Sequence, residues 1–168
     1  MNIVLCGMMG CGKSTVAVEL NLITGMPVTD TDAEIVSRYG RIADIFANYG
    51  EGRFREIETA VTAELSMRDG CIIATGGGLV LREENVSYLK KNGKIVFLRT
   101  QADTLIKRVQ GDTERPLLQG GAEKRIRELL PVRTPKYFKA ADLVIDTDKL
   151  SAKEVAQKIC DFYSLSDK

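Results

Sequence analysis

The chain has 168 residues, 44% of them hydrophobic and 28% charged, with a formal net charge of +1. That length suits one domain with a real core, and that mixture is neither a disordered chain nor a membrane-spanning one, since no run approaches the ~20 apolar residues a helical span needs. A near-neutral chain carries no global field for nucleic acid or an acidic membrane surface, so any anion it binds must be held by local clusters.

The apolar run Ile3-Val4-Leu5-Cys6 predicts a first strand, and Gly7-Met8-Met9-Gly10-Cys11-Gly12-Lys13-Ser14 follows it directly. The stretch fits G-x-x-x-x-G-K-[ST] and sits between a strand and a helix, where that motif must sit. Its glycines let successive N–H groups turn inward around phosphate oxygens, and the positive end of the next helix faces the same anion. Gly10, Cys11, Gly12, Lys13, Ser14 and Thr15 are therefore candidate nucleotide-binding residues. Lys13 supplies a point charge for the outer phosphates, and the Ser14 hydroxyl can ligate Mg²⁺.

Residues 15–24 carry apolar side chains at 16, 17, 18, 20, 22 and 23, which predicts a helix buried nearly all round. Gly25 ends it and Pro27 blocks its continuation. Val28-Thr29-Asp30-Thr31-Asp32 reads as a short strand whose alternate carboxylates, Asp30 and Asp32, project to one side at the edge near the phosphate loop. Asp32 has a second reading, as N-cap of a helix over 33–39.

Residues 42–49 form a short helix closed by Gly50 and Gly52, and 53–68 a long amphipathic one with Phe54, Ile57, Val61 and Leu65 inward. Arg55 lies near its start, where pairing with Glu51 or Glu58 is the plainer reading and anion binding the sharper one. Residues 71–75 form a buried parallel strand ending in Gly76-Gly77-Gly78. Three glycines there stabilise nothing by packing, and ligands of open α/β sheets lie outside that edge, so backbone is expected to approach a ligand closely.

A helix over 83–91, a strand over 94–99 and a helix over 101–109 follow. The polar segment from Arg108 to Gly121 holds Arg115 between glycines and reads either as a lid closing over a phosphoryl group or as an ordinary surface loop. Residues 123–139 are helical, with Pro131 and Pro135 expected to kink or break them, and they carry Arg133. Residues 142–146 make the fifth strand, and 151–163 a closing helix with Ser151 and Glu154 as a capping box. The alternation implies one α/β domain, a five-stranded parallel sheet with helices on both faces.

Histidine is absent. That removes most Ser-His and Cys-His nucleophilic schemes and leaves carboxylates to handle protons. The cysteines at 6, 11, 71 and 160 have no C-x-x-C or zinc spacing. Cys6 and Cys71 are expected as small buried hydrophobes in strands and Cys160 on a helix face, which suits a reducing cytoplasm. No secretory leader is expected, because the first apolar run is too short.

Together these motifs resemble the shikimate kinases, small P-loop enzymes related to nucleoside-monophosphate kinases. The likeness runs through GMMGCGKST at 7–15, D-T-D at 30–32, I-A-D-I-F at 42–46, G-E-x-x-F-R-x-I-E at 50–58, T-G-G-G at 75–78, R-P-L-L at 115–118 and R-x-P-x-Y at 133–137. The resemblance implies a single P-loop kinase domain over 1–168, three-layer α/β/α, with strand order 2-3-1-4-5, a shikimate-binding region at about 32–60 and a lid at about 110–121. It implies phosphoryl transfer from ATP to the 3-hydroxyl of shikimate, with one Mg²⁺ accompanying ATP. Asp32 would hold the attacking hydroxyl and take its proton, with Lys13 and Arg115 on the phosphates. Ser14 would ligate the ion directly, and Asp30 through water.

On the same grounds Arg55 and Arg133 would bind the shikimate carboxylate. Gly76, Gly77 and Gly78 would present backbone to the substrate, Phe46, Phe54 and Pro116 would pack its ring, and Arg108 would lie against adenine. The implied protein is a cytoplasmic monomer with small-molecule substrates and no nucleic-acid or membrane partner. A gluconate or nucleoside-monophosphate kinase is the alternative. The chain departs from the family pattern in a one-residue shortening at Gly40-Arg41-Ile42, in Val28 and Val36, and in the 146–152 loop, which lacks the usual Arg and Pro.

Overall fold

The computed structural model of the chain describes residues 1–110 and 121–165. Strand β1 (Asn2–Cys6) is buried along its whole length, as the continuous apolar run requires of a strand covered on both faces. It pairs in parallel with β3 (Ile72–Ala74) and β4 (Gly93–Arg99), which flank it, with Val4 opposite Ile73 on one side and Ile95 on the other. The outer positions are taken by β2 (Val28–Asp30) beside β3 and β5 (Leu143–Asp146) beside β4. Among the described residues this gives one five-stranded parallel sheet of order β2-β3-β1-β4-β5.

Alternate strand residues feed two cores, one on each face. Ile3, Leu5, Ile72, Ala74, Val96 and Leu98 pack on one side against helices α1 (Lys13–Thr24), α5 (Ala102–Gln110) and α7 (Ala152–Tyr163). Val4, Cys6, Ile73, Ile95 and Phe97 pack on the other against α2 (Thr31–Tyr39), α3 (Ile42–Ser66) and α4 (Glu83–Lys90). Period-two alternation in the strands therefore sorts the core without any long-range instruction. Helix α6 (Ala122–Ala140) reaches both layers, through Ala122 and Ile126 on the first face and Tyr137 and Ala140 on the second. Its middle, with Arg133, passes over the rim of the sheet.

Several expectations need correction. Helix α1 is buried on one face only: Val18 and Leu22 are 53% and 71% exposed, because α7 covers one side of the helix and water the other. Pro131 and Pro135 do not interrupt α6. They stand four residues apart on its exposed face, where water can bond the carbonyls they free, and Thr134 Oγ1 adds a bond to Leu130 O at 2.6 Å. Gly50, with φ of 79°, breaks the helical path inside α3, as its place between two apolar repeats suggested. The Ser151–Glu154 capping box forms as read, and all four cysteines are buried and free. The lid segment falls almost wholly on 111–120, outside the described residues, and Arg115 and Pro116 lie there with it.

Candidate active site

The turn between β1 and α1 ends on Gly12, which caps the helix at φ of 99° with no side-chain bond to its first turn. A left-handed cap without a capping side chain leaves the first N–H groups of α1 aimed outward, which is how a helix start receives an anion. Lys13 Nζ arches back over the loop and donates to the carbonyls of Gly7 at 2.8 Å and Met8 at 3.1 Å.

A cavity of about 340 Å³ opens over this turn and brings Lys13, Ser14, Asp30, Asp32, Gly76 and Gly77 to one place. The two carboxylates reach it by a route other than strand alternation. Strand β2 stops at Asp30, and Asp30, not Asp32, caps α2, its Oδ1 accepting from the N–H of Asp32 at 2.9 Å and of Ala33 at 3.1 Å. Capping fixes Asp30 and leaves Asp32 in the first helical turn, where the positive end of α2 stabilises its charge.

Arg108 closes one wall, donating to Cys11 O at 3.4 Å and Thr147 O at 3.1 Å. Arg108 also lines a second cavity of about 240 Å³ next to the phosphate turn, a slot whose apolar wall is Val16, Leu150, Ala152 and Val155. Thr147, Leu150 and Ala152 are what the 146–152 loop gives to that slot. A larger groove of about 940 Å³ runs along β5 and α7, but it holds none of the candidate residues.

The glycine triplet has a steric explanation. None of Gly76, Gly77 and Gly78 has a positive φ, so backbone strain is not the reason for them. A Cβ on Gly76 would fall 2.6 Å from Asp32 Oδ1, one on Gly77 3.3 Å from Arg133 Nη1, and one on Gly78 2.6 Å from Arg55 Nη1. Each glycine makes room for one charged side chain, and the three charges arrive from three different helices. Gly76 is further held by its N–H donating to the buried Thr31 Oγ1 at 2.9 Å.

Arg55 makes the ion pairs expected of it and also reaches the glycine triplet. It pairs with Glu58 at 2.8 Å and Glu51 at 3.3 Å, yet it is only 19% exposed and its guanidinium rests against Gly78. Its Cζ lies 5.2 Å from the Phe54 ring centroid, and Phe54 packs on Phe46 at 4.8 Å. Phe54 is buried while Phe46 is partly open to solvent beside it.

Two residues stand here that the sequence does not mark as part of the site, Glu58 figuring there only as a surface partner of Arg55. Glu58 is 1% exposed, and Tyr137 is fully buried with its hydroxyl donating to Gly77 O at 2.6 Å. Glu58 carried a faint signal, a carboxylate in register with Ile57, Val61 and Leu65 on the inner face of α3. Burial pushes its pKa up, and the nearby Asp32 charge pushes the same way, while the hydrogen bond and charge of Arg55 oppose both. For Arg55, burial works against the charged form, but its bonds to Glu58 and Glu51 hold it above the ordinary arginine value.

Two predictions arise from this geometry. Gly78→Ala forces its new methyl into the Arg55 guanidinium and should raise KM for the acceptor about ten-fold while KM for the nucleotide stays put. Steady-state kinetics against each substrate checks this, and an unchanged acceptor KM would contradict it. The second concerns pH. A carboxyl whose folded pKa exceeds its ordinary 4.5 binds more protons folded than unfolded, so its contribution to stability falls as pH rises above 4.5. Denaturant titrations from pH 4 to 8 should show the stability of the wild type declining relative to Glu58→Gln across that window; a constant difference would refute it.

Comparison with known proteins gives the chain a family. A family model described as shikimate kinase matches residues 9–164. A shikimate kinase of Thermodesulfovibrio yellowstonii is 44% identical over 96% of this chain and 94% of its own length. One from Thioalkalivibrio sulfidiphilus is 40% identical over 99% of this chain and 89% of its own. The solved shikimate kinase of Acinetobacter baumannii in complex with shikimate superposes with a TM-score of 0.88 at 39% identity, covering 97% of this chain and 92% of that one. With a family model over most of its length and relatives of 40% and 44% identity along nearly the whole chain, the chain belongs to the shikimate kinase family.

Proposed function

We propose that the protein transfers the γ-phosphoryl group of ATP to the 3-hydroxyl of shikimate, giving ADP and shikimate 3-phosphate. The observation that carries this reading is the glycine triplet and its three charged neighbours. A carboxylate, Asp32, and two guanidiniums, Arg133 and Arg55, face one stretch of bare backbone beside the phosphate turn. An alcohol bearing a carboxylate needs such a set: two cations for its own charge and one acceptor for the proton it loses.

ATP lays its phosphates along the α1 turn, with Lys13 on the outer ones, its backbone along Gly10, Cys11, Gly12 and Thr15, and adenine in the apolar slot that Arg108 lines. Shikimate places its carboxylate between Arg55 and Arg133 and its ring on Phe46, Phe54 and Pro116, with Gly76, Gly77 and Gly78 beneath. Its 3-hydroxyl then donates to Asp32, which takes the proton as the new O–P bond forms and the bond to the ADP oxygen breaks. Arg115, on the 110–121 lid, is assigned to the transferring group.

Ser14 and Asp30 line the same cavity as Lys13, and a hydroxyl with a carboxylate is a hard-oxygen donor set suited to Mg²⁺. Ser14 would hold the ion directly and Asp30 through water. When bound with ATP the ion neutralises charge on the phosphates. The remaining chemistry is positioning, which fits a chain without histidine. No second copy, nucleic acid or membrane is needed for it, and among the described residues no helix is long and apolar enough to cross a membrane. As the family resemblance implies, we read the protein as a cytoplasmic monomer.

The test is ADP release coupled to a reporter, with ATP, Mg²⁺ and a panel of acceptors: shikimate, gluconate and nucleoside monophosphates. The reading predicts turnover with shikimate far above the others. Preferred turnover of gluconate or a nucleotide would move the assignment to another small-molecule kinase, and tight ATP binding without ADP production would make the chain a nucleotide-binding module.

A further inference from the structure

Arg133 lies half-buried at the rim of the sheet, with its guanidinium 3.3 Å from where a Cβ on Gly77 would stand. One helical turn later, Tyr137 sits in the second core, fully buried, with its ring 5.0 Å from that of Phe97. Packing alone would be met by phenylalanine, so the hydroxyl needs its own account. It donates to Gly77 O at 2.6 Å, and the Arg133 guanidinium, one helical turn earlier on α6, stands beside the same glycine. Met8 Sδ, from the phosphate turn, lies 4.0 Å from both Tyr137 Oη and Arg133 Nη1. A phenol has one proton to give, and here it goes to the carbonyl, which joins α6 to the glycine triplet at the turn that carries Arg133. Burial pushes its pKa upward, so it remains a proton donor across any assay range.

We propose that Tyr137 is a positioning residue for acceptor binding: its hydroxyl fastens the turn of α6 that carries Arg133 to the Gly77 carbonyl, so that the carboxylate clamp and the glycine turn are held at their working separation before substrate arrives. The proposal rests on the shikimate reading above. Lost pre-organisation would appear in acceptor affinity, because the tie joins two acceptor-side elements and touches neither the first turn of α1 nor the adenine slot. A carbonyl left without its donor inside a core also loosens the turn it belongs to.

Tyr137→Phe removes the hydroxyl and keeps the ring. It should raise KM and Kd for shikimate about ten-fold, leaving KM for ATP within about two-fold and kcat at saturating shikimate within about three-fold. Shikimate should also raise the Tm of the wild type at concentrations that barely move the variant, a readout that works on a less stable protein. Tyr163→Phe, a partly buried tyrosine packed against the opposite core, is the control and should change none of these. Unchanged shikimate constants in Tyr137→Phe would overturn the proposal. So would a rise of both substrates' constants together, or the same split in Tyr163→Phe. If the wild type itself does not turn over shikimate, the functional reading fails first, and that result is distinct from a variant that behaves like an active wild type.

Discussion

Asp32→Asn should lower kcat about a thousand-fold while ATP binds with nearly wild-type affinity. The substitution is isosteric and keeps a hydrogen-bonding group over Gly76, so the turn it contacts is not refilled or emptied. What it removes, on the proposed reading, is the charge that would take the proton from the attacking alcohol, and with it the attraction that would align that alcohol toward the phosphorus. Asp32 lies in the first turn of α2, where the positive helix end favours a carboxylate, and Asn forfeits that contribution as well. Asp30 cannot substitute for it, because one of its oxygens is committed to two backbone N–H groups at the helix start. Rapid-quench kinetics with shikimate, alongside calorimetric titration of ATP, separates the two effects. A kcat within a factor of about three of wild type would remove Asp32 from both the proton-accepting and the aligning role.

Arg55→Ala should be the most destabilising single change in the site, by about 3 kcal/mol, and should also abolish measurable saturation with shikimate. The destabilisation comes from the partner left behind: Glu58 is 1% exposed, and without Arg55 its charge has no close cation at 2.8 Å. The exposed Glu51 pair contributes little to this, because solvent screens it. The double variant Arg55→Ala/Glu58→Gln removes the uncompensated charge and should recover most of the lost stability in urea titrations. It should recover none of the shikimate affinity, since the guanidinium over Gly78 is still missing. That divergence separates the two roles of one residue, whereas stability and affinity recovering together would show that Arg55 acts only through Glu58.

How far such behaviour was legible in the sequence differs from residue to residue. The phosphate turn was fully readable, because glycine at fixed offsets, the lysine and the strand-to-helix context are all local. The strand order 2-3-1-4-5 came only through the family resemblance, since local pattern fixes alternation but not which strands become neighbours. The two prolines of α6 misled because proline's effect depends on which face it occupies, and exposure is a tertiary property. The 30–32 carboxylates were correctly sent to one cavity by an incorrect route, extended-strand geometry standing in for an N-cap. Arg55 and Glu58 looked like an ordinary surface pair because i to i+3 spacing is the same in a solvated pair and a buried one; only the fold of α3 against the glycine triplet distinguishes them. The triplet itself advertised close approach, but to a ligand. The closest neighbours it shows are the protein's own Asp32, Arg133 and Arg55, which suggests that bare backbone serves first to seat the charges that would then meet the substrate.

That arrangement is a specific claim about which hydroxyl reacts. On the proposed reading, with the carboxylate of shikimate between Arg55 and Arg133, Asp32 would accept from the 3-hydroxyl. The most direct measurement is phosphorus and proton NMR of the product formed from ATP, Mg²⁺ and shikimate. The account predicts one phosphomonoester whose phosphorus couples to the proton on carbon 3, formed in equal amount with ADP. Phosphate on another hydroxyl, or ADP formed with inorganic phosphate and unchanged shikimate, would contradict it.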